Sequence, residues 1–406
     1  MKILVIIGDC ILTNSSANLC HTAYIRGLVD AGHSVTLLSA DGKDYTLDES
    51  VAIPTEVVQY TYYGVSLYEK LSLRKRAATA AAEIASSTMS TAHGAHFASD
   101  VKHKLKNLIR SLYGPHGIYA SFIKKAQKFK SSEEFDYVLS ISTPPSSHLL
   151  AHNLLKSGHI KGNHWIQIWE DPWHNDVYGF QNSSSIRREE QRLLSFAEKI
   201  CYVSPLTLKY QQEKYPESAH KMYWQPLPFY YKADLVHAVS FDQNYYGYFG
   251  DYAPAARNLA PFFEAAKASA IKVNICGNPC NLFPDTEHIH IHPRLSLNEL
   301  KPIEDSTNVL IFLCNRKGGQ IPGKIYQYSA TNKTILFIMD GTLEEQKVLR
   351  EFFGQFNRYV FCQNTVEDIT RAIRQIESGN LGDVRNVPLN DFDPVKTITN
   401  ILDAGR

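Results

Sequence analysis

V-L-I-F-L-C-N-R-K-G-G-Q-I-P-G-K-I-Y-Q-Y-S-A-T-N-K-T-I-L-F-I, residues Val309–Ile338, decides the fold. It reads as a buried strand (Val309–Leu313), a basic glycine-bearing loop (Arg316-Lys317-Gly318-Gly319), a tight Pro322-Gly323 turn and a short helix opening at Lys324. A polar turn and a second strand, Thr334–Ile338, close the unit. Strand, helix, strand implies two parallel neighbours joined by a right-handed crossover. The helix start offers free backbone N–H groups and the positive end of a dipole, and Lys324 adds a mobile cation, so the segment suits a diphosphate.

The same rhythm runs through most of the chain. Ile3–Ile7 is a buried strand, and Leu19, Ala23, Tyr24, Gly27, Leu28 and Ala31 recur at helical spacing until Gly32. Ser34–Ser39 is the next strand. Strands are expected again at Phe135–Ile141, Trp165–Trp169 and Lys199–Val203, with helices at Ser147–Leu155 and Ser185–Ala197. Residues Gln225–Gln243 hold two prolines and little periodicity and read as a connection. Beyond it lie strands at Tyr246–Phe249, Lys272–Ile275, Ile289–His292 and Tyr359–Phe361, and helices around Leu259–Ala268 and Val366–Ile376. A final helix, Phe392–Leu402, is expected to pack back on the first domain. The pattern predicts an α/β protein of two doubly wound domains facing a cleft: residues 1–225, residues 226–385, and a returning tail, residues 386–406.

Composition limits the function classes. A chain of 406 residues with net charge +1 has no global nucleic-acid signature. The apolar start M-K-I-L-V-I-I-G-D is a strand, too short for a signal peptide or a membrane span. Seven cysteines without C-x-x-C spacing fit reduced thiols in a cytoplasmic protein. Residues 60–130 differ from the rest: they are rich in Ala, Ser, Lys, Arg and His and read as helices. Their basic clusters (Arg74-Lys75-Arg76, Lys102 to Lys106, Lys124 to Lys130) fit either a solvated helical face or a peripheral contact with an anionic membrane surface.

Candidate chemistry gathers where strands end. Trp169-Glu170-Asp171-Pro172-Trp173-His174 follows a strand directly. Its carboxylates can orient an acceptor hydroxyl or take its proton, and its tryptophans can form a sugar platform. The plain alternative makes Glu170 and Asp171 loop-capping acids and the tryptophans core. Ser146 and Ser147 can cap the next helix. His148 and His152 stand at i, i+4, but without a third ligand they read as structural or acceptor-contact residues rather than metal ligands. Asn14, Ser15 and Ser16 precede the first helix and can face phosphate or sugar, although G-x-G-x-x-G is absent. In the second half Gly250-Asp251 with Arg257, Gly277-Asn278-Pro279 and His292-Pro293-Arg294-Leu295 all follow strands. They therefore share an edge with Arg316, Lys317, Gly323 and Lys324, and this convergence predicts a nucleotide site.

These segments resemble the GT-B fold glycosyltransferases, especially retaining glycosyltransferase family four. Ala31-Gly32-His33 is similar to the family's R-G-H before its second strand. Trp169 to Trp173 is similar to the R-D-P-W element of a bacterial branch, and Ser142 to His148 to its S-x-P-P-S-x-H segment. Glu190 to Ser204 resembles E-x-x-x-L-x-x-A-D-x-I-x-x-V-S, and Pro322 to Tyr328 resembles P-x-K-x-x-E-Y. The resemblance implies two Rossmann-like domains and transfer of a sugar from a nucleotide-sugar, as co-substrate, to a glycan or lipid-linked acceptor, with no metal or other cofactor. It implies a donor site at Gly250, Asp251, Arg257, Asn278, Arg294, Leu295, Arg316, Lys317, Gly323, Lys324 and Gln327. It places Asp171 and Glu170 at the reacting centre, and Asn14, Ser15, Ser146, His148, Trp173 and His174 toward the acceptor. The chain departs from the family at Gly319 and Gln327, where two glutamates are usual, and at Asp251, where arginine is common. Two other functions keep the same fold: a non-catalytic nucleotide-sugar-binding subunit, and a nucleotide-sugar epimerase.

Overall fold

The structure, a computed structural model, describes residues 1–65, 70, 115–176, 183–230, 243–317 and 319–405. Two parallel sheets organise them. The first contains β1 (Lys2–Ile7), β2 (Ser34–Ala40), β3 (Val58–Tyr62), β4 (Glu134–Ser142), β5 (Lys161–Trp169), β6 (Lys199–Tyr202) and β7 (Met222–Trp224), in the order β3-β2-β1-β4-β5-β6-β7. The second contains β8 (Tyr245–Phe249), β9 (Lys272–Cys276), β10 (Ile289–His292), β11 (Val309–Leu313), β12 (Thr334–Met339) and β13 (Val360–Gln363), in the order β10-β9-β8-β11-β12-β13. Strand order reverses between β1 and β4 in one sheet and between β8 and β11 in the other. Doubly wound sheets open a ligand crevice at such points, beyond the carboxyl ends of the strands.

Helices cover both sheets: α1 (Ser16–Asp30), α2 (Ala120–Ala126), α3 (Ser146–Lys156), α4 (Ser184–Phe196) and α5 (Pro205–Lys214) on the first, and α6 (Ala260–Ser269), α7 (Leu297–Asp305), α8 (Lys324–Ser329), α9 (Leu343–Gly354) and α10 (Val366–Glu377) on the second. The central strands are near-continuous apolar runs, because parallel strands are buried on both faces; all five residues of β11 are buried. The last helix, α11 (Pro394–Ala404), is capped by Asp393 and lies on α1. The two backbones touch: a Cβ on Gly27 would stand 2.4 Å from the Pro394 carbonyl oxygen, so only glycine permits this crossing.

One expectation is corrected here. Residues 60–62 belong to β3, which pairs with β2 from Thr36↔Val58 to Ala40↔Tyr62, and are not helical. V-Q-Y-T-Y is β-branched and aromatic, a composition that fits a pleated edge better than a helix. The clusters at Arg74–Arg76 and Lys102–Lys106, with the stripe Leu105 to Leu112, lie outside the described residues. Lys124 and Lys125 fall in the last turn of α2, with Lys125 Nζ 4.8 Å from the Tyr63 ring centre.

Candidate functional site

A cavity lies at the carboxyl edge of the second sheet and is closed by the first domain. Gly250, Asp251, Arg257, Gly277, Arg294, Leu295, Gly323 and Lys324 line it from one side, and Asn14, Ser16 and Leu19 from the other. Three cations converge there from three separate segments, two loops and the start of α8. Arg257 donates from Nη1 to the Asp251 carbonyl at 2.9 Å and from Nε to Asn315 Oδ1 at 2.8 Å, which fixes its fork. Arg294 pairs with Asp251 at 3.0 Å and reaches the Asn14 carbonyl of the other domain at 3.4 Å. Lys324 opens α8 and pairs with Glu304 at 3.2 Å. A Cβ on Gly323 would meet the Tyr230 hydroxyl at 2.5 Å, so a larger residue there must displace that tyrosine.

The anion-attracting character has a different origin from the one the sequence suggests. α8 has only six residues, so few peptide dipoles add up behind its start. The long helix aimed at the cavity is α1, of 15 residues, capped by Ser15 Oγ accepting from the Asn18 N–H at 3.1 Å. Ser15 is therefore a cap, while Asn14 and Ser16 face the cavity.

Several nominated residues stand elsewhere. Arg316 is exposed and donates to the Pro254 carbonyl at 3.1 Å, and Lys317 is exposed; neither lines the cavity. Asn278 is exposed, and its N–H caps Asp251 Oδ1 at 3.0 Å. Gln327 is buried and accepts the Tyr230 N–H at 2.8 Å, so it fastens the interdomain connection instead of meeting ligand. His148 is fully buried, bonded to Ser140 Oγ at 2.8 Å and packed on Trp169; burial drives its pKa well down, so it is a neutral core histidine. Trp173 packs with Ile186, Leu193 and Leu194 and offers no sugar platform. Ser146 is buried as the first residue of α3, with its hydroxyl toward Gly8. His174 lines a second cavity with Pro172, Thr207, Tyr210, Gln211 and Lys214.

The acids do converge. Glu170 directly follows β5 and lies 3.5 Å from His21 on α1; burial raises its pKa, and His21 offsets part of that rise. Asp171 is half-buried, with its carboxyl pushed up to about 7, chiefly by burial, with Asp176 and Glu170 adding repulsion. Gln320, from the second domain, donates from one amide nitrogen to both Asp171 and Asp176. Beneath this loop sits Glu190, wholly buried, which accepts from the Trp173 N–H at 2.8 Å, Tyr215 hydroxyl at 2.5 Å, Lys214 Nζ at 3.1 Å and Gln211 at 3.2 Å. Glu190, Gln320, His21 and Tyr230 are the residues that sequence reading passed over as site builders. Only Glu190 left a signal, an acid at a core position of an otherwise polar helix. Among the described residues no group of three or more His, Cys, Asp or Glu side chains is placed to hold a metal ion. Among them, too, no helix is long and apolar enough to cross a membrane.

No family model and no curated protein matches the sequence. Solved structures do match along the whole length. A glycosyltransferase from Rickettsia africae superposes with a TM-score of 0.57 at 12% identity, covering 100% of this chain and 97% of that one. Sucrose-phosphate synthase from Thermosynechococcus elongatus gives 0.56 at 11% identity, covering 100% and 96%. An E. coli structure described as trehalose-6-phosphate bound with UDP-2-fluoro glucose gives 0.55 at 9% identity, covering 100% and 99%. Together with the two parallel sheets and their facing edges, this likeness gives the chain the two-domain α/β architecture of the GT-B fold.

Proposed function

We propose that this chain is a glycosyltransferase that moves a sugar from a nucleotide-sugar to a glycan or lipid-linked acceptor, with retention. On this reading it is a relative of retaining family four in bacterial surface polysaccharide or glycoconjugate synthesis. Residues 226–385 take the donor, residues 1–225 take the acceptor, and residues 386–406 brace the first domain. The observation that carries the proposal is the convergence of Arg257, Arg294 and Lys324 on one cavity at a strand-order reversal. The UDP-sugar carried by the E. coli structure supports the donor class.

The chemistry follows from charge. The bond between the sugar's anomeric carbon and the diphosphate oxygen breaks, and the anomeric carbon bonds to the acceptor oxygen. Arg257, Arg294 and Lys324 stabilise the charge that grows on the departing diphosphate. The acceptor hydroxyl's proton passes to a base, and Asp171, held at about 7, is suited to take it near neutrality. The nucleotide-sugar acts as co-substrate, and no metal or other cofactor takes part. Work at the inner face of the plasma membrane, through the basic residues between 60 and 130, belongs to the same proposal; flotation with anionic liposomes tests it.

Transfer itself is tested by titrating nucleotide-sugars calorimetrically and then assaying Lys324→Ala. Donor affinity should fall about tenfold to a hundredfold, the worth of one charge-assisted hydrogen bond. Full transfer with unchanged donor affinity would remove Lys324 from the site.

A further inference from the structure

We propose that Asn315 and Gln320 are positioning residues that tie the donor site to the acid edge: Asn315 grips Arg257, and Gln320 carries that grip across the domain boundary to Asp171 and Asp176. This rests on the donor site and on Asp171 as the base, both proposed above, and adds the link between them.

The link is a chain of hydrogen bonds. Asn315 lies just after β11. Its Oδ1 accepts from Arg257 Nε at 2.8 Å, and its Nδ2 donates to the Gln320 carbonyl at 3.0 Å. One planar amide thus holds a cavity cation on one side and the far end of its own loop on the other. Gln320 Nε2 then donates to Asp171 and, at 3.0 Å, to Asp176. A primary amide carries two N–H groups on one nitrogen, so it can serve each acid with one hydrogen. The neighbouring backbone is seated on the first domain. Ser204 Oγ donates to the Gly319 carbonyl at 2.6 Å. Gly319 has a φ of +71°, and a Cβ on it would stand 2.8 Å from Leu206 Cβ, so glycine admits this close approach. The loop between Asn315 and Gln320 therefore delivers one side chain to the acids.

A hydrogen bond donated to a carboxylate favours its ionised form. Burial raises Asp171 most; Gln320 is the largest opposing influence, Asp176 and Glu170 add to the rise, and Arg257 also opposes it. Glu170 in turn faces His21 at 3.5 Å. A diphosphate bound at Arg257 cancels that guanidinium's pull on Asp171. Donor arrival is then felt across the boundary as uptake of a fraction of a proton.

Calorimetric titration of the full chain with UDP-glucose, ADP-glucose, GDP-mannose and CDP-glucose tests this. Each is titrated in PIPES and in Tris, whose ionisation heats differ, so that exchanged protons are counted. The diphosphate of a nucleotide-sugar is fully ionised near neutrality and contributes none. Wild type should take up protons most strongly at or just above about pH 7, and Asp171→Asn should remove that uptake. Gln320→Ala should move the maximum upward by about one pH unit, as expected for loss of a hydrogen bond to a charged group. Asn315→Ala should move it the same way, although the bonds of Asn315 go to Arg257 and Gln320. The double variant should move it no further than the larger single shift. Gln320→Glu removes the donors on the same skeleton and keeps the test available if the alanine variant folds poorly. Additive shifts, or an unmoved maximum in folded variants that still bind donor, overturn the link and leave the donor site standing. So does a wild type that binds a nucleotide-sugar without proton uptake. A wild type that binds none of these nucleotide-sugars overturns the donor site and the link with it.

Discussion

Glu170, Asp171, Asp9 and His21 gather where strand order reverses in the first sheet, whereas Arg257, Arg294 and Lys324 gather near the reversal in the second. Both edges come from the same winding of parallel strands and helices. Burial acts on them in opposite ways. It raises the pKa of Asp9, Glu170 and Asp171, the last to about 7. The cations instead border an open cavity, tethered by backbone carbonyls and single carboxylates. In the function proposed above, one edge exchanges a proton and the other holds an anion, so topology supplies the location and loop side chains supply the chemistry.

Removing the support of the acidic edge should have the largest effect. Glu190→Ala leaves Lys214, Gln211 and Tyr215 without their shared buried acceptor. A loss of about 3–5 kcal/mol in urea unfolding is expected, with transfer activity falling too. A variant as stable as wild type would mean that the Trp173–His174 loop is held by other contacts. Next comes a paired test of the two edges. Arg257→Ala should weaken nucleotide diphosphate binding about tenfold or more, while Asp171→Asn should slow turnover at unchanged nucleotide affinity. If both variants lose affinity alike, the two edges are not separate in function.

The acid edge also has a pH signature. An ordinary aspartate releases its proton near about pH 4, whereas folded Asp171 keeps it to about 7. Its contribution to stability is therefore full below the unfolded value and is lost as pH rises through the folded one. Melting temperature should fall between about pH 4 and pH 7, and Asp171→Asn should flatten part of that fall; Asp9 and Glu170 retain their own share. An unchanged slope in the variant would show that Asp171 does not carry the proton. The smallest effect belongs to the rim. Lys209 and Glu344 join the domains through a solvent-exposed pair, so Lys209→Ala should leave the melting temperature unmoved.

The architecture was legible because buried parallel strands are written as apolar runs. Ile3–Ile7, Val309–Leu313 and Thr334–Ile338 each match a strand to within a residue. α5, α7 and α9 were passed over: their faces mix lysine, glutamate and glutamine with a few buried residues, and α7 carries Pro302 inside it. In the site, Gly250 and Arg294 could be found because each follows a strand closely, and Arg257 and Lys324 because each stands near a helix start in the loop after a strand. Gln327 and His148 misled, since a polar residue near a strand end has the same appearance whether it faces a ligand or the core. Gln320 and His21 were invisible for the reverse reason. Their partners, Asp171 and Glu170, lie 149 positions away or on another element, and nothing local marks such a pairing.

The returning tail has a mechanical consequence. The chain crosses between the domains twice, after β7 and before α11, and the two crossings are bonded side by side through the Phe229 N–H and the Phe392 carbonyl at 2.9 Å. A single tether would let one half swivel and twist freely over the other. Two tethers joined along a line define an axle, as two pins do for a door. The Gly27–Pro394 contact pins the second tether to α1 on the first domain.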